Sequence, residues 1–232
     1  METVDYARGR SVDVHPGTGA GHVLLWHGRG PNERGVLVTL AGLVADRGPT
    51  VIVPDWSSES DDGGRADLLR SLRFARETVE AAGEDPDSVV LVGWSLGGTA
   101  AAGLTIHARR LGVGIAHTVC LAGGFTAPDP ISGVLLTGSL PHGESRSPFT
   151  LIHGVADDIS PVAATHAFAQ SLQLAEWPVE VVELPTDHVG IVGLAPGGGA
   201  GPPAADGTGG GGGPRAADGT VAGQVADRIA AS

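Results

Sequence analysis

The sequence VVLVGWSLGG, from Val89 to Gly98, sets the architecture that the rest of the chain follows. Its first four residues are all apolar, which predicts a short strand buried in a parallel sheet. The stretch from Gly93 to Gly97 then turns sharply into an alanine-rich helix. Because glycine has no side chain, strand and helix can pass close to each other at this turn. Ser95 lies at its apex, where we expect a strained backbone.

The same turn matches the pattern G-x-S-x-G, in which the serine acts as a nucleophile. The N–H of Leu96 would then face a carbonyl oxygen attacked by Ser95, and the helix N-terminus would add its partial positive charge. The alternative is a glycine-rich turn that carries a serine by chance, since a five-residue pattern is common. The strand before the turn and the helix after it favour the catalytic interpretation.

Other predicted strands also end in loops that carry histidine or aspartate. The apolar run from Val23 to Trp26 leads into HGRG, and the run from Phe149 to Ile152 leads into HGVADDISP. The strand predicted from Val179 to Leu184 is followed by PTDH. In open parallel sheets, ligands bind at the carboxyl ends of the strands, so these loops are expected to meet Ser95 there.

Taken together, GWSLGG, WHGRG, HGVADDISP and PTDH resemble the α/β-hydrolase superfamily, and within it the small serine esterases, lipases and dienelactone-hydrolase-like proteins. The resemblance covers roughly Val23 to Gly193. It implies a three-layer α/β/α sandwich around a mostly parallel sheet, which the alternation of predicted strands and helices also favours. Only a short loop region, between Gly123 and Ser147, stands where larger hydrolases carry a cap domain, so little or no cap is expected.

The resemblance also implies roles for single residues around Ser95. The loop HGRG would supply a second backbone N–H to the oxyanion hole, from Arg29 or, as the next candidate, from Gly30. The acid of the catalytic triad would stand three residues beyond the glycine of HGVADD, at Asp157, with Asp158 as the alternative.

His188 follows the last predicted strand, where the family places its catalytic base. Of the nine histidines, His188 alone combines this position with the family order of serine, acid and histidine, after Ser95 and Asp157. Asp55 precedes the serine and is therefore not expected to be the acid. His27 and His153 stand at strand ends, where we expect them to orient loops by hydrogen bonding.

Composition and net charge argue against several classes of function. The chain of 232 residues is 41% hydrophobic and 17% charged, which suits one domain over 1–232. All 14 basic residues are arginine, so a phosphate-binding loop with lysine, a Schiff base and a serine–lysine dyad are excluded. A formal net charge of −12 without a basic cluster argues against nucleic acid or an anionic membrane as the partner.

Localisation is an expectation from what the sequence lacks. The single cysteine, Cys120, cannot form an intrachain disulfide and is expected to be an inert residue of a buried strand. The segment METVDYARGR has no apolar core typical of a signal peptide, and no apolar run is long enough to span a bilayer. We therefore expect a cytoplasmic protein that does not insert into membranes. The sequence leaves its oligomeric state open.

The two ends of the chain give weaker patterns. Val12 and Val14 alternate in a way that suits one edge strand, and helices are predicted over 32–47 and 66–82. Residues 194–219 are rich in glycine and proline and are predicted to form a flexible insertion. A final short helix is predicted from Thr220 to Ala231.

These patterns predict a serine hydrolase that cleaves small-molecule esters without a metal or organic cofactor. A thioesterase, a lactone hydrolase or a peptidase on the same scaffold remains an alternative, because an unseen pocket selects the substrate. A non-catalytic binding protein that retains the fold is a further alternative. Dinucleotide binding is weaker still, because Glu33 stands where the third glycine of that fingerprint should be.

Overall fold

A single sheet lies at the centre of the fold. The computed structural model describes residues 1–138, 140–141, 147–195 and 220–232, and within these ranges eight strands pair in the order β1-β2-β4-β3-β5-β6-β7-β8. In chain order the strands are β1 (Glu2–Ala7), β2 (Arg10–His15), β3 (His22–Trp26), β4 (Thr50–Pro54), β5 (Val90–Trp94), β6 (His117–Leu121), β7 (Phe149–Gly154) and β8 (Val179–Leu184). All pairings from β4 to β8 are parallel, whereas β1 and β2 join antiparallel at one edge.

Helices cover both faces of the sheet. They are α1 (Val38–Ala45), α2 (Arg65–Ala81), α3 (Leu96–Leu111), α4 (Val162–Leu174) and α5 (Val221–Ala230). Helices α1 and α5 share one apolar cluster with the sheet, while α2, α3 and α4 contribute to the clusters on the other face. The predicted three-layer α/β/α sandwich with a mostly parallel sheet is therefore confirmed.

Strand β3 shows why both faces are apolar. Val23 and Leu25 belong to the cluster with α1 and α5, whereas Leu24 and Trp26 belong to the cluster with α2 and α3. Successive side chains of a strand point to opposite faces, so a continuous apolar run buries itself on both sides. This pattern buries the central strands, and their parallel pairing brings their carboxyl ends to one edge of the sheet.

The N-terminal region contains more strand than the sequence indicated. Both β1 and β2 form, and β2 lies inside the sheet between β1 and β4, so the expected single edge strand was incomplete. The predicted helix over 32–47 is also interrupted. No helix begins at Asn32, because this residue has a φ of 55° and donates its N–H to the carbonyl of Trp56 at 3.1 Å. A 3₁₀ helix (Arg34–Leu37) precedes α1 instead.

The segment between β6 and β7 agrees with the expectation of little or no cap. None of its described residues lies in a helix or a strand, and Leu136 and Leu140 pack into the apolar cluster that contains Phe168 of α4. The predicted insertion over 194–219 lies, from residue 196 onward, outside the described residues. In the described part of the chain, no helix is both long and apolar enough to cross a bilayer.

Candidate active site

Ser95 occupies the sharp turn between β5 and α3. Its φ of 56° and ψ of −121° place it where side-chain-bearing residues are rarely found, at a cost of about 1–3 kcal/mol. Backbone hydrogen bonds hold this conformation. The N–H of Ser95 donates to the carbonyl of Leu121 at 2.8 Å, and its own carbonyl accepts N–H groups of Gly98, Thr99 and Gly124 at 3.0–3.2 Å. The turn is thus tied to α3 and to the end of β6.

The two glycines of the pattern are required by close backbone contacts. A Cβ atom on Gly93 would lie 2.1 Å from the carbonyl oxygen of Gly97, and one on Gly97 would lie 2.2 Å from that of His27. Neither position can carry a side chain without moving the backbone. The expectation that both positions must be small is confirmed.

Asp157 and His188 are in direct contact. Nδ1 of His188 lies 2.7 Å from Oδ2 of Asp157, and the exposed fractions of the two side chains are 7% and 0%. Oδ1 of Asp157 accepts the N–H groups of Ile159 at 2.9 Å and Ser160 at 2.8 Å. The neighbouring Asp158 is exposed. Of the two candidate acids, the structure pairs Asp157 with the histidine.

Trp94 connects this pair to the serine turn. Its indole Nε1 donates to the carbonyl of His188 at 2.9 Å, and the Trp94 and His188 ring centroids lie 5.3 Å apart. His188 is therefore held by the residue that precedes Ser95. The sequence analysis assigned Trp94 no role, because a contact between residues 94 positions apart leaves no local pattern.

The loop after β3 passes directly against Ser95. A Cβ atom on Gly28 would lie 3.1 Å from Cβ of Ser95, so only a glycine fits here without a shift. The N–H of Gly30 donates to Oγ of Ser58 at 3.0 Å and is already engaged. No described residue accepts the N–H of Arg29 or of Leu96. These are the two amides that the sequence analysis assigned to the oxyanion hole.

His27 orients this loop from inside. Its Nδ1 donates to the carbonyl of Gly28 at 2.9 Å, and its Nε2 accepts the N–H groups of Glu33 at 3.3 Å and Trp56 at 3.2 Å. Burial lowers the pKa of His27 from its ordinary 6.5 to about 4. The neutral imidazole satisfies every one of these contacts, so His27 serves the loop rather than proton transfer.

Trp56 and Ser58 also support the loop, although the sequence analysis assigned neither of them a role. The Trp56 ring stacks on His27 with centroids 5.2 Å apart, and its Nε1 donates to the carbonyl of His27 at 3.2 Å. A tryptophan two residues beyond the end of a buried strand was the available signal. Ser58 carried none.

Other reactive groups have structural partners. Asp55 is buried and pairs with the guanidinium of Arg34, which also bonds Asp13 at 2.9 Å. Cys120 is buried, and burial raises the pKa of its thiol, which suits an inert residue. Among the described residues, no three side chains of histidine, cysteine, aspartate or glutamate are grouped to hold a metal ion.

Comparison with known proteins agrees with this architecture. The model of the alpha/beta hydrolase family matches residues 23–223, so the chain belongs to that family. No curated protein sequence matches it.

Solved structures share the fold at low sequence identity. MGS-M1, an alpha/beta hydrolase enzyme from a Medee basin deep-sea metagenome library, superposes with a TM-score of 0.65 at 15% identity, covering 82% of this chain and 83% of that one. Esterase 2 of Thermogutta terrifontis with bound propionate gives a TM-score of 0.64 at 15% identity, covering 82% and 85%. The same esterase phosphorylated by paraoxon gives 0.62 at 15% identity, covering 81% and 83%. At this identity the likeness establishes the fold.

Proposed function

We propose that this protein is a cytoplasmic, single-domain serine hydrolase that cleaves carboxylic esters of small molecules through an acyl-enzyme intermediate. Ser95 is the nucleophile, His188 the general base and Asp157 the acid of the triad. The observation that carries the proposal is the 2.7 Å contact between His188 and Asp157, held by Trp94 beside the strained Ser95. The proposed chemistry needs no metal or organic cofactor.

The first half of the reaction transfers the acyl group to the enzyme. Oγ of Ser95 attacks the ester carbonyl carbon while Nε2 of His188 takes the hydroxyl proton, and Asp157 stabilises the resulting imidazolium. When the tetrahedral intermediate collapses, the bond to the alcohol oxygen breaks and His188 delivers the proton to the departing alcohol. Water then attacks the acyl-enzyme by the same route, which releases the acid and restores Ser95.

The N–H groups of Leu96 and Arg29 form the oxyanion hole in this proposal. The first belongs to the opening turn of α3, whose N-terminus carries partial positive charge. The second belongs to the loop that touches Ser95 through Gly28. Both are backbone donors held by the fold, so they need little reorganisation as negative charge develops on the oxygen.

An ester is the substrate class best supported. One of the proteins that share this fold, in the two structures described above, carries the name esterase. Val155 and Ile159 flank the acid loop and are 55% and 70% exposed, which offers apolar surface near the triad. Such surface suits the acyl or alcohol group of a neutral ester.

The test is hydrolysis of p-nitrophenyl esters from acetate to palmitate by the native chain and by Ser95→Ala. We expect turnover that falls by about 10⁴-fold or more in the variant, while its circular dichroism and unfolding transition stay unchanged. Turnover retained by Ser95→Ala would contradict the proposal. If no ester is cleaved but a thioester, lactone or peptide is, the substrate class is wrong and the nucleophile stands.

A further inference from the structure

A second histidine reaches the carboxylate of Asp157. His153 is the next-to-last residue of β7. Its side chain is completely buried, and the proposed reaction does not use it. Its Nε2 lies 2.8 Å from the carbonyl oxygen of Ser160 and 3.3 Å from Oδ2 of Asp157. Its Nδ1 lies 2.8 Å from Oγ1 of Thr165. Every polar atom of this ring therefore has a partner.

The partners determine where the proton of His153 resides. A carbonyl oxygen can only accept a hydrogen bond, so Nε2 carries a proton and donates it to Ser160, with Oδ2 of Asp157 3.3 Å from the same nitrogen. The hydroxyl of Thr165 can donate to Nδ1. An imidazole with its proton on Nε2 satisfies both of these hydrogen bonds inside the fold.

Oδ2 of Asp157 consequently faces two imidazoles, His188 at 2.7 Å and His153 at 3.3 Å. Its other oxygen is held by the N–H groups of Ile159 and Ser160. Rotation of the carboxylate about its own bond would break contacts at both oxygens. The acid is thus fixed by donors other than the histidine that it serves.

We infer that His153 is a positioning residue that fixes the carboxylate of Asp157 for its hydrogen bond to His188. It does so by holding Ser160, whose N–H donates to Oδ1, and by placing Nε2 beside Oδ2, with Thr165 setting the tautomer of His153. This inference rests on the proposed function, because it gives Asp157 the role of triad acid. His153 does not touch the substrate in this account. Its loss should therefore lower kcat and leave KM nearly unchanged, since a small misplacement of a catalytic group costs rate rather than binding.

The experiment compares His153→Leu with His153→Gln. Leucine removes the donor, whereas glutamine offers an amide N–H near the position of Nε2. We expect kcat for a p-nitrophenyl ester to fall about 10- to 100-fold in H153L at nearly constant KM, with substantial recovery in H153Q. A merely structural role would not give this recovery, so equal losses in both folded variants would overturn the inference.

A second readout does not depend on catalysis. The far-downfield proton NMR signal of the His188–Asp157 hydrogen bond, assigned by its loss in Asp157→Asn, should shift or broaden in H153L and return in H153Q. An unchanged signal in folded H153L would overturn the inference. Because this signal is measured on the resting protein, it reports on His153 even if Ser95→Ala shows that the proposed function is wrong.

A milder variant covers the case in which H153L does not fold. Thr165→Val is nearly isosteric and removes the hydroxyl at Nδ1 without touching Asp157. We expect it to lower kcat several-fold at constant KM and to shift the same proton signal. Wild-type values for both would overturn the inference.

Discussion

Two adjacent carboxylates after β7 lie in different surroundings, and the difference assigns their roles. Asp157 is buried against His188 and accepts two backbone N–H groups, whereas Asp158 is exposed. We predict that Asp157→Asn lowers kcat by about 10⁴-fold, because the amide would favour the wrong tautomer of His188. The steady-state kinetics of ester hydrolysis measure this decrease in kcat.

Asp158→Asn is the matched control. It makes the same chemical change one residue away, and we expect kcat and KM close to those of the native chain. A large loss in D158N together with a small one in D157N would reverse the assignment of the acid.

Two variants of Arg29 distinguish the contribution of its backbone N–H from that of its guanidinium. The proposal uses its N–H, so Arg29→Ala should leave kcat nearly unchanged. Arg29→Pro removes that N–H, and loss of one oxyanion donor costs about 10²–10³-fold in kcat. If R29A is as impaired as R29P in the same ester assay, the guanidinium rather than the amide is the functional group.

At the scale of elements, the contact of α3 with the end of β3 depends on glycine. A Cβ at Gly97 would lie 2.2 Å from the carbonyl of His27, whereas a Cβ at Gly42 in α1 would meet nothing within 4 Å. We predict that Gly97→Ala lowers the free energy of unfolding by at least about 1–3 kcal/mol. Gly42→Ala should raise it by about 0.5–1 kcal/mol, since alanine favours the helix. Urea denaturation measures both, and an equally stable G97A would contradict the close contact.

The elements around the serine turn followed from local pattern. Helix α3 begins at Leu96 and β8 spans Val179–Leu184, as the sequence predicted, because long or continuous apolar runs decide both. Strand β1 was missed, since none of its residues is buried and it forms by pairing with β2. A strand that buries few side chains has no apolar pattern from which its pairing partner could be predicted.

The candidate active site shows the same difference between features that the sequence predicts and features that depend on the tertiary fold. Chain order pointed to Ser95, Asp157 and His188, and the structure places the latter two in contact. The contacts of Trp94 with His188 and of Gly30 with Ser58 join distant parts of the chain. Such supporting contacts depend on the tertiary fold, so sequence patterns alone could not predict them.

At the scale of the molecule, the parallel sheet brings the loops after β3, β5, β7 and β8 to one edge, at the carboxyl ends of the strands, where open α/β sheets bind their ligands. The buried, neutral His27 also lies at that edge. His27 has a pKa of about 4 in the folded protein, against about 6.5 in an unfolded chain. The unfolded chain therefore binds more protons between these pH values, and the stability contributed by neutral His27 is lost as pH falls through them.

We predict that the free energy of unfolding decreases between pH 6.5 and pH 4, with His27 responsible for on the order of 3 kcal/mol. Burial also lowers the pKa values of His15 and His117, which act in the same direction. Urea denaturation across this range should show a shallower decrease for His27→Gln than for the native chain. Parallel curves for the two proteins would contradict the assignment of a neutral buried His27.

The central claim is that Ser95 is a nucleophile activated by His188 and Asp157, and covalent labelling tests it most directly. The folded protein is treated with a fluorophosphonate, and the adduct is located by peptide mass spectrometry. We expect one phosphonyl group on Oγ of Ser95 with release of fluoride, no adduct in Ser95→Ala, and much slower labelling in His188→Gln. An unlabelled Ser95 in folded native protein, or labelling at the native rate in H188Q, would contradict the account.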